Sequence, residues 1–232
     1  MNSPQKTARI AACIFLGIFF LGMSTELFIR PGLLVPGDTA ATVKNIAASE
    51  SFFRLSLVSD LVRQVLLMAL PLVLYKLLKP VNKTIAALMV IFALVGVPIS
   101  MLNELNHFAV LLLSSGASYT AAFKADQLNA LVIFFLELRN YGTYIPQVLS
   151  FWVLLLGYLV FKSGFLPRIL GILLMLGGLC YTVSAILFFL FPNLNTMILG
   201  LFAFIGEALF YLWLFIKGVN VEEWEKRALE FA

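Results

Sequence analysis

Charge is scarce in this sequence. Charged residues make up 12% of its 232 residues, about half the share of an ordinary globular domain. A soluble fold of this length must cover its surface with polar groups, and too few are present to do so. From Ile169 through Gly206 no residue is charged at all, well beyond the roughly 20 residues with which a helix crosses a bilayer core. There are two cysteines, Cys13 and Cys180, both inside apolar runs, which excludes a disulfide framework and a cysteine metal site. The single histidine, His107, excludes a zinc centre built on two or three imidazoles. Glycine-rich phosphate loops, Gly-x-Ser-x-Gly elbows and His-Glu-x-x-His motifs are absent, so no familiar catalytic pattern supports an enzyme. The first apolar run lacks a small-x-small cleavage pattern, reading Gly22-Met23-Ser24-Thr25-Glu26, so a retained helix is expected rather than a leader.

What fills the chain instead is apolar. Hydrophobic residues reach 62% and mean hydropathy is +1.00. The runs are sustained rather than alternating, which excludes barrel strands and predicts an all-α membrane bundle. Six crossings are expected in a single membrane domain, over 10–29, 55–78, 84–113, 140–161, 169–191 and 197–216. Lys79-Pro80-Val81-Asn82-Lys83, the stretch from Lys162 to Pro167 and Phe191-Pro192-Asn193 read as stops between them. Two links are longer. In 30–54 a short surface helix is expected from Thr39, capped by Asp38 or Thr39. The link 114–139 opens as a Ser/Gly loop and becomes helical, leading into the fourth helix with a kink near Gly142 and Pro146. The tail 219–232 reads as a charged surface helix carrying Trp224.

Basic residues orient these helices. Six crossings place Lys6, Arg9, Lys76, Lys79, Lys83, Lys162, Arg168, Lys217, Lys226 and Arg227 on one side, with Arg30, Lys44 and Lys124 opposite and Arg54 at the boundary. The rule that cytoplasmic loops are basic then puts both termini in the cytoplasm. A seventh crossing at 130–136 would spoil this asymmetry. The net charge of +4 is therefore a topology signal, distributed over helix ends and not along a nucleic-acid-binding stripe.

Polar residues inside such helices are the candidate functional groups, because a charge at mid-bilayer costs about 2.5–3.5 kcal/mol on insertion scales. Ser56, Asp60 and Arg63 fall on one face of the second helix, where Asp60 and Arg63 form a possible i, i+3 pair. Asn103, Glu104 and His107 lie on the third helix, and Glu137, Arg139 and Tyr144 lie on the approach to the fourth. Glu26 ends the first helix, while Glu207 and Tyr211 share a face at the middle of the sixth, with Glu207 expected to turn towards the third. By depth these charges, Glu207 apart, converge on the extracytoplasmic half. An outward-opening pocket is expected there, beneath the two long links. Acids outnumber bases, so protonation, a cation or a basic ligand is expected to balance them. Glu104-Leu105-Asn106-His107 also has the Glu-x-x-His spacing of bundle metal sites, which makes Glu104 and His107 weak metal candidates. No cofactor is assigned. The reading is a protein of the bilayer that binds or translocates a small solute, lipid headgroup or cation. An intramembrane enzyme using Glu104 and His107 and an accessory or sensor subunit are the alternatives.

One stretch carries a family resemblance. Gly157-Tyr158-Leu159-Val160-Phe161-Lys162-Ser163-Gly164-Phe165-Leu166-Pro167-Arg168-Ile169-Leu170-Gly171 resembles a signature of bacterial six-helix membrane proteins known only as a domain of unknown function. Thr7-Ala8-Arg9-Ile10-Ala11, Asn140-Tyr141-Gly142 and Gly177-Gly178-Leu179-Cys180-Tyr181 are similar too. The resemblance implies a multi-pass protein of the bacterial cytoplasmic membrane and brings no activity, substrate or catalytic residue.

The basic asymmetry yields a topology test. With Cys13 and Cys180 replaced, cysteines introduced near Asp38 and Gly116 should react with an impermeant thiol reagent added to intact cells. Those near Asn82 and Ser163 should stay shielded, and external labelling near Ser163 would overturn the six-crossing arrangement.

Overall fold

The computed structural model describes residues 3–191 and 193–231, and within them it is helical with no strand. Eleven α-helices follow in order: α1 (Pro4–Ser24), α2 (Arg30–Leu33), α3 (Thr39–Ala48), α4 (Glu50–Leu78), α5 (Lys83–Ser114), α6 (Ala125–Gly142), α7 (Tyr144–Gln147), α8 (Phe151–Ser163), α9 (Arg168–Leu190), α10 (Met197–Ile216) and α11 (Val221–Phe231). They make six stretches long and apolar enough to cross a membrane: Pro4–Leu33, Glu50–Leu78, Lys83–Ser114, Ala125–Ser163, Arg168–Leu190 and Met197–Ile216. The chain is a multi-pass helical membrane protein, as its hydropathy requires. Pro192, expected to help end the fifth crossing, and Ala232 of the tail lie outside the described residues.

Local chemistry sets the boundaries. Asp38 caps α3 as expected, its Oδ1 accepting from the Ala41 amide at 2.8 Å. Asn82 does the same for α5 through Ile85, at 2.9 Å. Gly164 ends α8 with φ at +79°, a conformation that a side chain would strain. Several helices begin earlier than the apolar runs predict. α1 starts at Pro4, where the missing amide proton is no loss, and α4 starts at Glu50. Two irregularities sit inside crossings. A π-helical turn, Thr25–Ile29, joins α1 to α2, and nothing in the sequence signals it. The fourth crossing breaks after Gly142 into α7 and a 3-10 turn over Val148–Ser150, at the expected kink.

The contacts fall into two compact units. The first comprises Met1–Leu16, Leu66–Pro98 and Tyr144–Ala232. Leu70, Leu74, Leu77 and Met89 are fully buried in it, with Leu156, Leu174, Phe210 and Leu214. Its tightest seam is between α8 and α9, where a Cβ on Gly157 would lie 2.5 Å from the Met175 amide nitrogen and one on Gly171 2.5 Å from that of Phe161. A Cβ on Gly178 would collide with the Leu154 backbone. Small residues are the means by which helices associate in lipid, where apolar side chains gain little by leaving the bilayer for each other. The second unit comprises Gly17–Val65 and Ile99–Thr143. Here both long links supply helices, α3 and α6, which pack with α4 and α5 around Leu33, Ile46, Phe53, Val110, Leu111 and Val132.

Because backbone stands on both sides of the seam, Gly171→Ala should lower stability by about 1–3 kcal/mol, as overpacking does. Gly200→Ala meets nothing within 4 Å and should be neutral or slightly stabilising. Thermal unfolding in detergent compares the two, and equal effects would mean that the seam yields.

Candidate functional site

The second unit brings ionisable side chains from three helices to one place. Turns of α4 stack Ser56, Asp60 and Arg63 on one face, and α5 presents Glu104 and His107 one turn apart. Arg139 comes from α6. Asp60, Glu104, His107 and Arg139 are each at most 4% exposed. Arg139 stands between the two acids. Its Nη2 bonds to Asp60 Oδ2 and donates to Glu104 Oε1 at 3.2 Å, while its Nε reaches Glu104 Oε2 at 3.4 Å. Arg63, partly exposed, meets the other Asp60 oxygen at 3.1 Å.

Histidine extends the network. His107 Nδ1 lies 3.2 Å from Glu104 Oε2, and its Nε2 lies 3.4 Å from Ser56 Oγ. The Ser56 hydroxyl also donates to the Phe53 carbonyl at 2.7 Å, and the Phe53 ring meets the imidazole edge-on at 4.3 Å. Asn103 fixes the backbone that carries the arginine, donating from Nδ2 to the Arg139 carbonyl at 2.8 Å. Gly142 lets α6 come this close, since a Cβ there would overlap the Asn103 amide. A cavity of about 20 Å³, touching Arg30, Phe53, Ser56, His107 and Arg139, lies against the network and has room for one water molecule.

The arrangement revises the expected charge balance. Glu26 lies outside this network, exposed and paired with Arg30 at 2.7 Å, and Glu137 is exposed. Two carboxylates therefore face two guanidinium groups, without the surplus of acid that the sequence implies. The expected Asp60–Arg63 pair forms, but the fully buried partner of Asp60 is Arg139. Asp60, Glu104 and His107 still offer one ligand atom each, all within 4.8 Å of one another, a donor set suited to a metal ion if the arginine gives way.

Glu207, Tyr211 and Tyr144 belong to the first unit. Glu207 is half-buried and accepts at Oε2 from the Tyr181 hydroxyl at 3.2 Å. That partner is on α9, in the fifth crossing, where the sequence reading looked to the third. Tyr211 stacks on Phe15 with ring centroids 4.0 Å apart, and its buried hydroxyl has no hydrogen-bond partner among the described residues. Tyr144 stacks on Phe188 at 3.8 Å. Spacing along a helix could propose these faces, but it could not show that Phe53, Phe15 and Phe188 would complete them.

A buried ion network inside an α-helical, six-crossing chain defines a polytopic membrane protein with a charged centre. The chain belongs to the family described as Domain of unknown function (DUF4386), which matches residues 10–218 and so takes in the 157–171 signature. It is 32% identical over 150 residues to an uncharacterized protein of Archaeoglobus fulgidus, covering 65% of this chain and 75% of that relative, so similarity to this chain extends to an archaeon. No solved structure matches it.

Arg139→Met should destabilise the protein by about 3–5 kcal/mol, because it leaves two buried carboxylates without their counter-ion. Combining it with Asp60→Asn and Glu104→Gln should restore most of that loss. Thermal unfolding in detergent decides the matter, and small, equal effects for the single and triple variants would mean that water reaches the network.

Proposed function

We propose that the protein binds or translocates a small solute, lipid headgroup or cation, and that the Asp60–Arg139–Glu104–His107 network is the part that responds to it. The observation that carries this reading is the burial of a complete ion network within membrane-crossing helices. Ionisable groups held at membrane depth are functional by default, since stitching helices together takes nothing more than hydroxyls and amides. The network can also be rearranged: a cationic ligand can take the place of Arg139 between the acids, and an anionic one can draw the guanidinium away from them. Both termini are placed in the cytoplasm and the network in the extracytoplasmic half, on the strength of the basic residues.

A second reading is favoured by the compact donor set of Asp60, Glu104 and His107. In it these residues hold a metal ion that polarises a substrate or activates water. Stoichiometric transition metal in the purified protein, lost in His107→Gln, would select this reading over simple binding.

The binding reading is tested on the full chain in neutral detergent, with metal ions, organic amines and amino acids scored by thermal shift. A saturating ligand is expected whose affinity falls at least tenfold in both Glu104→Gln and His107→Gln. If every saturating ligand binds both variants as it binds the unaltered protein, the network is not its site.

A further inference from the structure

A second polar hollow, in the first unit, has no part in this reading. It lies where the turn between the fourth and fifth crossings meets α11, and its volume is about 460 Å³. That is within the range of small-molecule sites. Four cationic residues line it: Lys162 and Arg168 flank the turn, and Lys226 and Arg227 come from α11. Glu223 and Glu230 are the acids of the lining, and Arg227 is paired with Glu230 at 3.1 Å. Among the described residues no ion pair engages Lys162, Arg168 or Lys226. No carboxylate in an ion pair among the described residues offsets their charges there.

The tail helix is fastened in place. Trp224 Nε1 donates to the Leu77 carbonyl at 2.8 Å, and the Asn220 amide donates to the Phe165 carbonyl at 3.1 Å. Arg227 Nη2 reaches the Lys162 carbonyl at 3.4 Å, and Arg168 lies over the Phe161 ring, 5.9 Å from its centroid. α9 opens into this region without a side-chain cap, so the positive end of a 23-residue helix adds to the same field.

We infer that this hollow binds a phosphate oxyanion, either in the headgroup of an anionic phospholipid or as free phosphate. Four cations against two acids leave a net charge of two, which suits a singly charged phosphodiester or inorganic phosphate better than a polyphosphate. Two of the cations are arginines, whose forked guanidinium groups match phosphate oxygens. The site lies at the end of two membrane crossings, the level at which phospholipid phosphates lie. A merely solvated charged face would lack the concave volume and the fastened second wall.

The test uses the full chain in neutral detergent at fixed ionic strength, with binding read by thermal shift. Dioctanoyl phosphatidylglycerol, dioctanoyl phosphatidylcholine and inorganic phosphate are titrated separately. The anionic lipid is expected to saturate, with affinity at least tenfold lower in Arg168→Gln/Lys226→Gln, since each basic residue near an anionic headgroup contributes about fivefold. Lys44→Gln/Lys76→Gln removes the same charge elsewhere and should bind as the unaltered protein does. Phosphatidylcholine should bind more weakly, its choline being repelled. Saturation by inorganic phosphate with the same dependence on Arg168 and Lys226 identifies a soluble source, while saturation by phosphatidylglycerol alone identifies the lipid. Glu223→Gln removes an opposing charge from the lining and should tighten binding, which decides the matter should the double variant not fold. Absence of saturation by either probe, equal loss in both double variants, or unchanged affinity in both Arg168→Gln/Lys226→Gln and Glu223→Gln would overturn the inference.

Discussion

Hydrocarbon accepts no hydrogen bond, so a polar group that enters the bilayer without a partner in the protein is costly. For the backbone this imposes helix, and the described residues are helical through six crossings. For side chains it imposes groups that close upon themselves. Arg139 is the clearest case, because its guanidinium satisfies Asp60 and Glu104 together, and Glu104 in turn holds His107. Without it the acids would have to take up protons or water, and α4, α5 and α6 would lose the side chain that bonds to acids on both α4 and α5. In water such a pair contributes little; here the low dielectric makes an unpaired member far more damaging than the complete set is stabilising.

The first unit obeys the same constraint by a different route. Glycine admits close backbone approach along α8 and α9, so dispersion replaces the hydrophobic effect as the source of cohesion. Its deep carboxylate, Glu207, is answered among the described residues by a tyrosine hydroxyl instead of an opposite charge. One unit thus contains a buried ionic network, and the other a carboxylate that among the described residues is held by a tyrosine hydroxyl. Ligands that exchange charge suit the first chemistry, and a neutral donor suits the second.

Much of this could be read from the sequence, and the reasons are physical. Uninterrupted apolar length determines crossings, because bilayer thickness is fixed; the Asp38 cap and the break near Gly142 follow from the backbone chemistry of those residues. Faces were legible too: Asp60 with Arg63, and Glu104 with His107, follow from helical spacing. What could not be read was which face meets which. Arg139 stands 79 positions from Asp60, and no local periodicity connects them. Glu137, two residues earlier on the same helix, looks equally eligible in sequence, yet it points away because a helix turns through about 200° in two residues. The π-helical turn at Thr25–Ile29 left no mark either, for it arises without proline or glycine.

Near the chain ends, a pair of hydrogen bonds bears on the whole topology. Gln5 donates to the Lys217 carbonyl at 3.0 Å and accepts from the Val219 amide at 2.9 Å, so the start of the first crossing and the end of the last lie side by side. A chain that leaves a membrane beside its point of entry has crossed it an even number of times, whichever compartment that is. This parity owes nothing to counting lysines and arginines, and it agrees with the six helical stretches long and apolar enough to cross a membrane. One glutamine thereby ties the first apolar stretch to the last, a relation that no single crossing helix reveals.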